Sequence, residues 1–168
     1  QEQVIPFMLT EQADLVALAQ TGTGKTAAFG LPILNMIDVK RREVQALVLA
    51  PTRELCIQIS NDMKGYAANM TDVHIVPVYG GEDIRKQLKE LDRTPQIIVA
   101  TPGRLIDLTE RGKIQLGNIN FLVFDEADEM LNMGFKDDIE TILKETPENR
   151  RTLLFSATMP AEIQRIAK

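Results

Sequence analysis

The sequence predicts an α/β protein, a mostly parallel sheet with helices packed on both faces, and three observations carry that prediction. Six short apolar runs recur along the chain, at 15–19, 46–50, 75–79, 97–100, 121–124 and 152–155, each closing in a polar or glycine-bearing motif. Near-continuous apolar strands are what a parallel sheet covered on both faces requires. Between the runs, apolar residues fall at helical spacing: Leu55, Ile59 and Met63, then Ile84, Leu88 and Leu91, then Phe135, Ile139, Ile142 and Leu143. Strand–helix–strand alternation of this kind makes a parallel sheet. The third observation is a glycine-rich turn, Ala19-Gln20-Thr21-Gly22-Thr23-Gly24-Lys25-Thr26, set between the first strand and a helix carrying Leu31, Ile33, Leu34 and Ile37.

That turn is the first element in order, and its composition points to a polyphosphate. Glycines let successive backbone N–H groups curl around an anion, and the helix that follows aims its positive end at the same place. Lys25 supplies a cation for terminal phosphates, and the Thr26 hydroxyl is placed to ligate a nucleotide's Mg²⁺. A merely tight connection would not need Gly-Lys-Thr. Residues 22–27 also satisfy the dinucleotide pattern G-x-G-x-x-A, but that fold wants an acidic residue about 20 positions on, at the end of the next strand. Here the next strand ends in Ala50-Pro51-Thr52, and Glu43 lies before it begins. The first glycine of the usual phosphate-loop pattern is replaced by Ala19, which requires a negative φ there.

The second strand closes in Pro51-Thr52-Arg53-Glu54-Leu55 and the third in Gly80-Gly81. Pro77 cannot donate to a ladder, which assigns the third strand to the sheet's edge and its glycines to the periphery of a site. The fourth strand closes in Thr101-Pro102-Gly103-Arg104, the fifth in Asp125-Glu126-Ala127-Asp128 and the sixth in Ser156-Ala157-Thr158. Ligands of such sheets bind outside the carboxyl ends of the strands, so all six motifs should converge on one edge. Lys40-Arg41-Arg42 and Arg150-Arg151 read as solvated loops ahead of strands.

Asp125 and Glu126 have separable roles beside a phosphate loop: a strand-end carboxylate holds Mg²⁺, directly or through water, and a neighbouring Glu positions or deprotonates an attacking water. The plainer alternative is that Asp125 or Asp128 caps the next helix. Ser156 and Thr158 are either turn formers or hydrogen-bonding sensors of a terminal phosphate, since their turn should lie next to Asp125.

A chain of 168 residues, 44% hydrophobic, suits one domain with a full core. No apolar run reaches membrane-spanning length and no charged-then-apolar leader opens the chain, so no membrane association is expected. Cys56 is the single cysteine, which rules out an internal disulfide, fits a reducing cytoplasm and suits packing in a helix. His74 has no second His or Cys at ligand spacing, which argues against zinc.

AQTGTGKT, PTREL, GG, TPGR, DEAD and SAT stand here in the order they have in DEAD-box ATP-dependent RNA helicases, and EMLNMGF follows DEAD as it does there. Over essentially all 168 residues the chain resembles the first RecA-like domain of that family, with Asp128 in place of the His of neighbouring helicase groups. The resemblance implies a three-layer P-loop NTPase (RecA-like) fold, ATP as nucleotide, Mg²⁺ as metal, single-stranded RNA gripped through its backbone, and local unwinding of short duplexes. It implies nucleotide contacts from Gln20, Thr21, Gly22, Thr23, Gly24, Lys25, Thr26, Asp125 and Glu126, with Lys25, Asp125 and Glu126 catalytic and Thr26 and Asp125 on the metal. Gln1, followed by Ile5-Pro6, resembles the family's adenine-reading glutamine, whose amide donates and accepts at once; the alternative is a frayed terminus. Asp128, Ser156 and Thr158 would couple the nucleotide to the rest of the machine.

Thr52, Arg53, Gly81, Thr101 and Arg104 carry over as RNA-contacting positions, the arginines through charge and Gly81 through its amide. With 19 basic against 24 acidic side chains, net −5, a broad positive field is excluded and contact must be local. There is no Trp, and the sequence puts no aromatic residue inside a candidate RNA motif, so base stacking is not expected. Because the chain opens on Gln1 without a Met and Lys168 falls where an interdomain linker would start, residues 1–168 are expected to be a helicase ATP-binding domain truncated at its N-terminus. A second RecA-like domain in cis would carry the arginines that complete phosphoryl transfer. A monomer is expected. A nucleotide-dependent RNA clamp that does not unwind is the competing reading, and a DNA translocase a third.

Overall fold

A computed structural model of the protein describes residues 1–20 and 24–166. Its elements follow in the order α1 (Val4–Thr10), β1 (Leu15–Leu18), α2 (Lys25–Met36), β2 (Ala46–Leu49), α3 (Arg53–Tyr66), β3 (Ile75–Val78) and α4 (Ile84–Leu91). Then come β4 (Ile97–Ala100), α5 (Pro102–Glu110), β5 (Phe121–Phe124), α6 (Ala127–Asn132), α7 (Lys136–Glu145), β6 (Arg151–Ser156) and α8 (Ala161–Ile166). The six strands form one sheet in the order β1-β6-β5-β2-β4-β3, and every pairing is parallel.

Alternation along each strand divides the core in two. Ala46 and Val48 of β2 face Met8, Phe29, Ile33, Cys56, Ile59 and Met63, so α1, α2 and α3 cover one side. Leu47 and Leu49 face Leu91, Leu105, Met130, Ile139 and Ile163, which puts α4 to α8 on the other. Both sides of β2, β4 and β5 are therefore sealed, which is why their sequences are unbroken apolar runs. The rings of Phe29 and Phe155 meet at 5.4 Å and 51°, tying α2 to β6. Among the described residues no helix is long and apolar enough to cross a membrane.

Pro77 does lie in an edge strand. The opposite edge, β1, departs from expectation: Val16 and Leu18 are 39% and 64% exposed, so one face of this strand is uncovered. Arg151, expected in a solvated loop, is instead buried at the start of β6. Its guanidinium donates to the carbonyls of Met8 (2.7 Å), Ala13 (2.8 Å) and Phe7 (3.4 Å) and lies over the Phe7 ring at 5.6 Å. The last turn of α1 and the turn after it offer three carbonyls that a planar fork of donors reaches together, that of Phe7 also accepting from the Glu11 amide. Beside it, the Thr152 amide donates to the Asp14 carboxylate at 2.7 Å, so the segment before β1 is stapled to β6 twice.

Candidate functional site

Strand order sorts the six motifs into two adjoining groups. The carboxyl ends of β1, β6 and β5 carry the phosphate loop, Ser156-Ala157-Thr158 and Asp125-Glu126; those of β2, β4 and β3 carry the segments at Thr52-Arg53, Thr101 to Arg104 and Gly80-Gly81. The groups meet where the Asp125 amide donates to the Leu49 carbonyl, at 3.0 Å.

In the first group, Lys25 opens α2 and its Nζ stands 3.4 Å from Oδ1 of Asp125. Both side chains are largely buried, at 10% and 3% exposure. The distance makes an ion pair without a short hydrogen bond, and among the described residues Asp125 Oδ1 accepts no other hydrogen bond. Burial raises the Asp125 carboxyl above its ordinary range, and Lys25 opposes that rise without cancelling it. Glu126 is also raised, by desolvation first and then by the charge of Asp125. Its backbone is left-handed, φ 54° and ψ 52°, at the N-cap of α6. A non-glycine residue there stores about 1–2 kcal/mol. The N-cap position of α6 falls to Glu126, which makes no side-chain cap bond, while Asp128 stands in the first turn with its carboxylate accepting from the Glu129 amide.

Gly24 takes φ 70°, and a Cβ there would come within 2.3 Å of the Gln1 amide nitrogen. That amide donates to the Gly24 carbonyl at 3.2 Å, so Gln1, expected at an adenine, lies against the exit of the phosphate loop. An open cleft of about 940 Å³ beside it is lined by Gln1, Phe7, Leu18, Lys25 and Ala28 among others. Ala19 keeps a negative φ and extends the ladder by donating to Ser156 O at 2.9 Å. Thr26 follows Lys25 in the first turn of α2 and Gln20 is exposed at the end of β1, whereas Thr21, Gly22 and Thr23 lie outside the described residues.

Ser156 is fully buried, and its hydroxyl accepts from the Asp128 amide at 3.3 Å. The Asp128 carboxylate accepts from the Thr158 amide (3.1 Å) and hydroxyl (2.9 Å), and its other oxygen from the Glu129 amide (3.1 Å). Partial burial pushes this carboxyl up, but the hydrogen bonds from Thr158, Ser156 and the backbone together outweigh it and hold it below its ordinary range. The three residues thus form one network linking β5 to β6.

In the second group, Thr52 caps α3 by accepting from the Leu55 amide at 3.2 Å, and Thr101 stands at the N-cap of α5. Arg53 donates to Gly81 O at 3.4 Å while its guanidinium covers the Tyr79 ring at 5.1 Å. Both terminal nitrogens of Arg104 lie 3.3 Å from Glu82 O. Gly81 takes φ 79°, a conformation other residues rarely hold. An aromatic ring therefore does enter this group, packed on Arg53; its place directly before Gly80-Gly81 is the local signal that could have found Tyr79. A further groove, about 490 Å³ along the first half of β3, contains none of the motif residues.

The family model for DEAD/DEAH box helicase matches residues 1–166. The ATP-dependent RNA helicase CshA of Listeria monocytogenes is 56% identical over 168 residues, covering 100% of this chain and 32% of its own. The DEAD-box ATP-dependent RNA helicase CshA of Geobacillus kaustophilus is 53% identical, covering 100% and 36%. Among solved structures, a DEAD box protein from the hyperthermophile Methanococcus jannaschii superposes with a TM-score of 0.92 at 43% identity, over 98% of this chain and 45% of that one. A hypothetical ATP-dependent RNA helicase from Sulfolobus tokodaii gives 0.88 at 42% identity, over 98% and 47%. The chain spans about a third of the length of the curated relatives it matches. With the parallel sheet, the order of its motifs and these likenesses together, the chain belongs to the DEAD/DEAH box helicase family.

Proposed function

We propose that residues 1–168 are the ATP-binding lobe of a cytoplasmic ATP-dependent RNA helicase, completed by a second RecA-like domain in cis that lies outside this sequence and supplies arginine to the transition state. The observation that carries the reading is the meeting of Lys25 and Asp125 at 3.4 Å with Glu126 beside them, three groups from α2 and the end of β5 at one point of the sheet's ligand edge. Lys25 would move from Asp125 to the terminal phosphates. Asp125 Oδ1, a buried acceptor without a hydrogen bond among the described residues, and the Thr26 hydroxyl offer the oxygen donors that suit Mg²⁺. Bound there, the ion would neutralise charge building on the phosphates. Glu126, its carboxyl raised and less buried, orients the attacking water or takes its proton. Gln1 would leave Gly24 to read adenine at the mouth of the neighbouring cleft.

Thr52, Arg53, Gly81, Thr101 and Arg104 would hold single-stranded RNA by its phosphates, independent of sequence, and the protein would act as a monomer. With net charge −5 the grip is short-ranged, giving a shallow salt dependence of a few phosphates. Steady-state ATPase of the full-length protein, measured with no nucleic acid, with single-stranded RNA and with single-stranded DNA, tests this. RNA-stimulated turnover with duplex unwinding is expected. RNA binding without stimulation would point to a clamp, and equal stimulation by DNA to a translocase. Residues 1–168 alone should bind nucleotide weakly and hydrolyse almost none; RNA-stimulated turnover by this segment would end the two-lobe account.

A further inference from the structure

Tyr79, between the end of β3 and Gly80-Gly81, is held from several directions by groups that no motif includes. Gln87 in α4 is 4% exposed, and its side-chain amide closes a two-point clamp on one residue of main chain. Oε1 accepts from the Tyr79 amide at 3.3 Å and Nε2 donates to the Tyr79 carbonyl at 2.9 Å. β3 is an edge strand, so these two backbone groups have no strand beyond them, and a primary amide is the side chain that offers donor and acceptor in one plane. The Tyr79 hydroxyl then donates to Glu82 Oε2 at 3.0 Å, fixing the chain on the far side of the glycines.

Both arginines of the second group rest on this clamped segment. Arg53 packs on the Tyr79 ring and donates to Gly81 O; Arg104 donates to Glu82 O. Each guanidinium has five N–H donors. Arg53 spends one on Gly81 and stays exposed, so it can take a phosphate while still held in place.

We infer that Gln87, acting through Tyr79, is a positioning residue for the proposed RNA-backbone site, setting the segment 79–82 on which Arg53 and Arg104 rest. This rests on the RNA-binding reading above. Loosening the segment makes RNA binding supply the ordering of two long side chains and a loop, a cost that falls on affinity for the strand and not on the nucleotide.

The test uses the full-length protein carrying Gln87→Ala, Gln87→Glu, Tyr79→Phe or Arg53→Ala. Binding of a fluorescein-labelled oligouridylate, Mg-ATP affinity, the RNA KM and the saturating kcat of the ATPase are measured, with hydrogen exchange of the 79–82 amides. Gln87→Ala should weaken RNA binding and raise the RNA KM by about tenfold, the equivalent of one buried hydrogen bond or slightly more. Mg-ATP affinity and kcat at saturating RNA should stay within about twofold, and the 79–82 amides should exchange faster. Gln87→Glu keeps the acceptor for the Tyr79 amide but loses the donor to its carbonyl, so it should behave likewise and serves if the alanine variant does not fold. Tyr79→Phe, which keeps the ring under Arg53, should show a smaller shift in the same direction. Unchanged RNA affinity and KM in the Gln87 variants, with Arg53→Ala impaired, would overturn the inference, as would parallel loss of ATP and RNA affinity. Unchanged RNA affinity in Arg53→Ala would instead sink the RNA-site reading beneath it.

Discussion

Lys25 Nζ lies 3.4 Å from Asp125 Oδ1 although a whole strand, β6, separates the strands that lead to the two residues. Lys25 reaches over the end of β6, and the turn it crosses is Ser156-Ala157-Thr158, whose hydroxyls bind Asp128. The side chain proposed above to bind the terminal phosphate is thereby placed next to the network that joins β5 to β6, so on that reading a change in nucleotide would be felt there first.

Lys25→Ala should abolish Mg-ATP binding while leaving the fold in place, because the side chain meets a carboxylate at the ligand edge and takes no part in either core cluster. Removing it also strips Asp125 of its cation, so the carboxyl should titrate higher still. Calorimetric titration with Mg-ATP, beside a thermal melt, checks both; parent-like affinity would remove Lys25 from the site.

Glu126→Gln in the full-length protein should keep Mg-ATP affinity and lower turnover by about 10² or more, since it removes a base or water orienter and little else. Glu126→Gly should lose turnover equally but melt no earlier than the parent, because glycine accepts φ 54° without the strain of about 1–2 kcal/mol that a side chain carries there. Early melting of the glycine variant would show that the glutamate has a structural task.

Asp125 and Asp128 should give stability profiles of opposite sign. The Asp125 carboxyl is raised from its ordinary 3.8, so between that value and its folded pKa the native state holds the extra proton. Its ionised form costs stability, and the parent should lose ground against Asp125→Asn as pH rises through that window. Asp128 is lowered from 3.8: its contribution is complete above 3.8 and lost as pH falls through its depressed pKa. The parent should gain on Asp128→Asn as pH rises there. Urea unfolding of parent and both variants between pH 2.5 and 7, a range that spans ordinary carboxylate titration, decides; slopes of the same sign would contradict the geometry.

Arg151→Ala should destabilise the protein by about 3 kcal/mol, by stranding the carbonyls of Met8 and Ala13 that a buried charged donor now satisfies. Arg150→Ala, whose terminal nitrogen bonds only the nearby Pro147 carbonyl, should stay within about 1 kcal/mol. Equal costs from denaturant unfolding would show that Arg151 is not the staple it appears in the contacts.

Much of this molecule was legible in one dimension because its signals are local. β2, β4 and β5 are covered on both faces and therefore read as unbroken apolar runs, and Pro77 marked an edge because it has no N–H to give. Asp125 and Glu126 could be singled out because they stand directly after a strand, and Lys25 because Gly-Lys-Thr opens the helix after a glycine-rich turn. Sheet order leaves no such trace: it is a choice of non-local partners, made by the fit of two cores, and the order β1-β6-β5-β2-β4-β3 is what splits the motifs into two groups and exposes Val16 and Leu18. Arg151 beside Arg150 looked like solvent-facing charge because nothing nearby in sequence foretells three carbonyls arriving from α1 and the turn after it. Gln87 was silent for the same reason. A single amide in an amphipathic helix acquires its meaning only when an edge strand with two unspent backbone groups is packed against it.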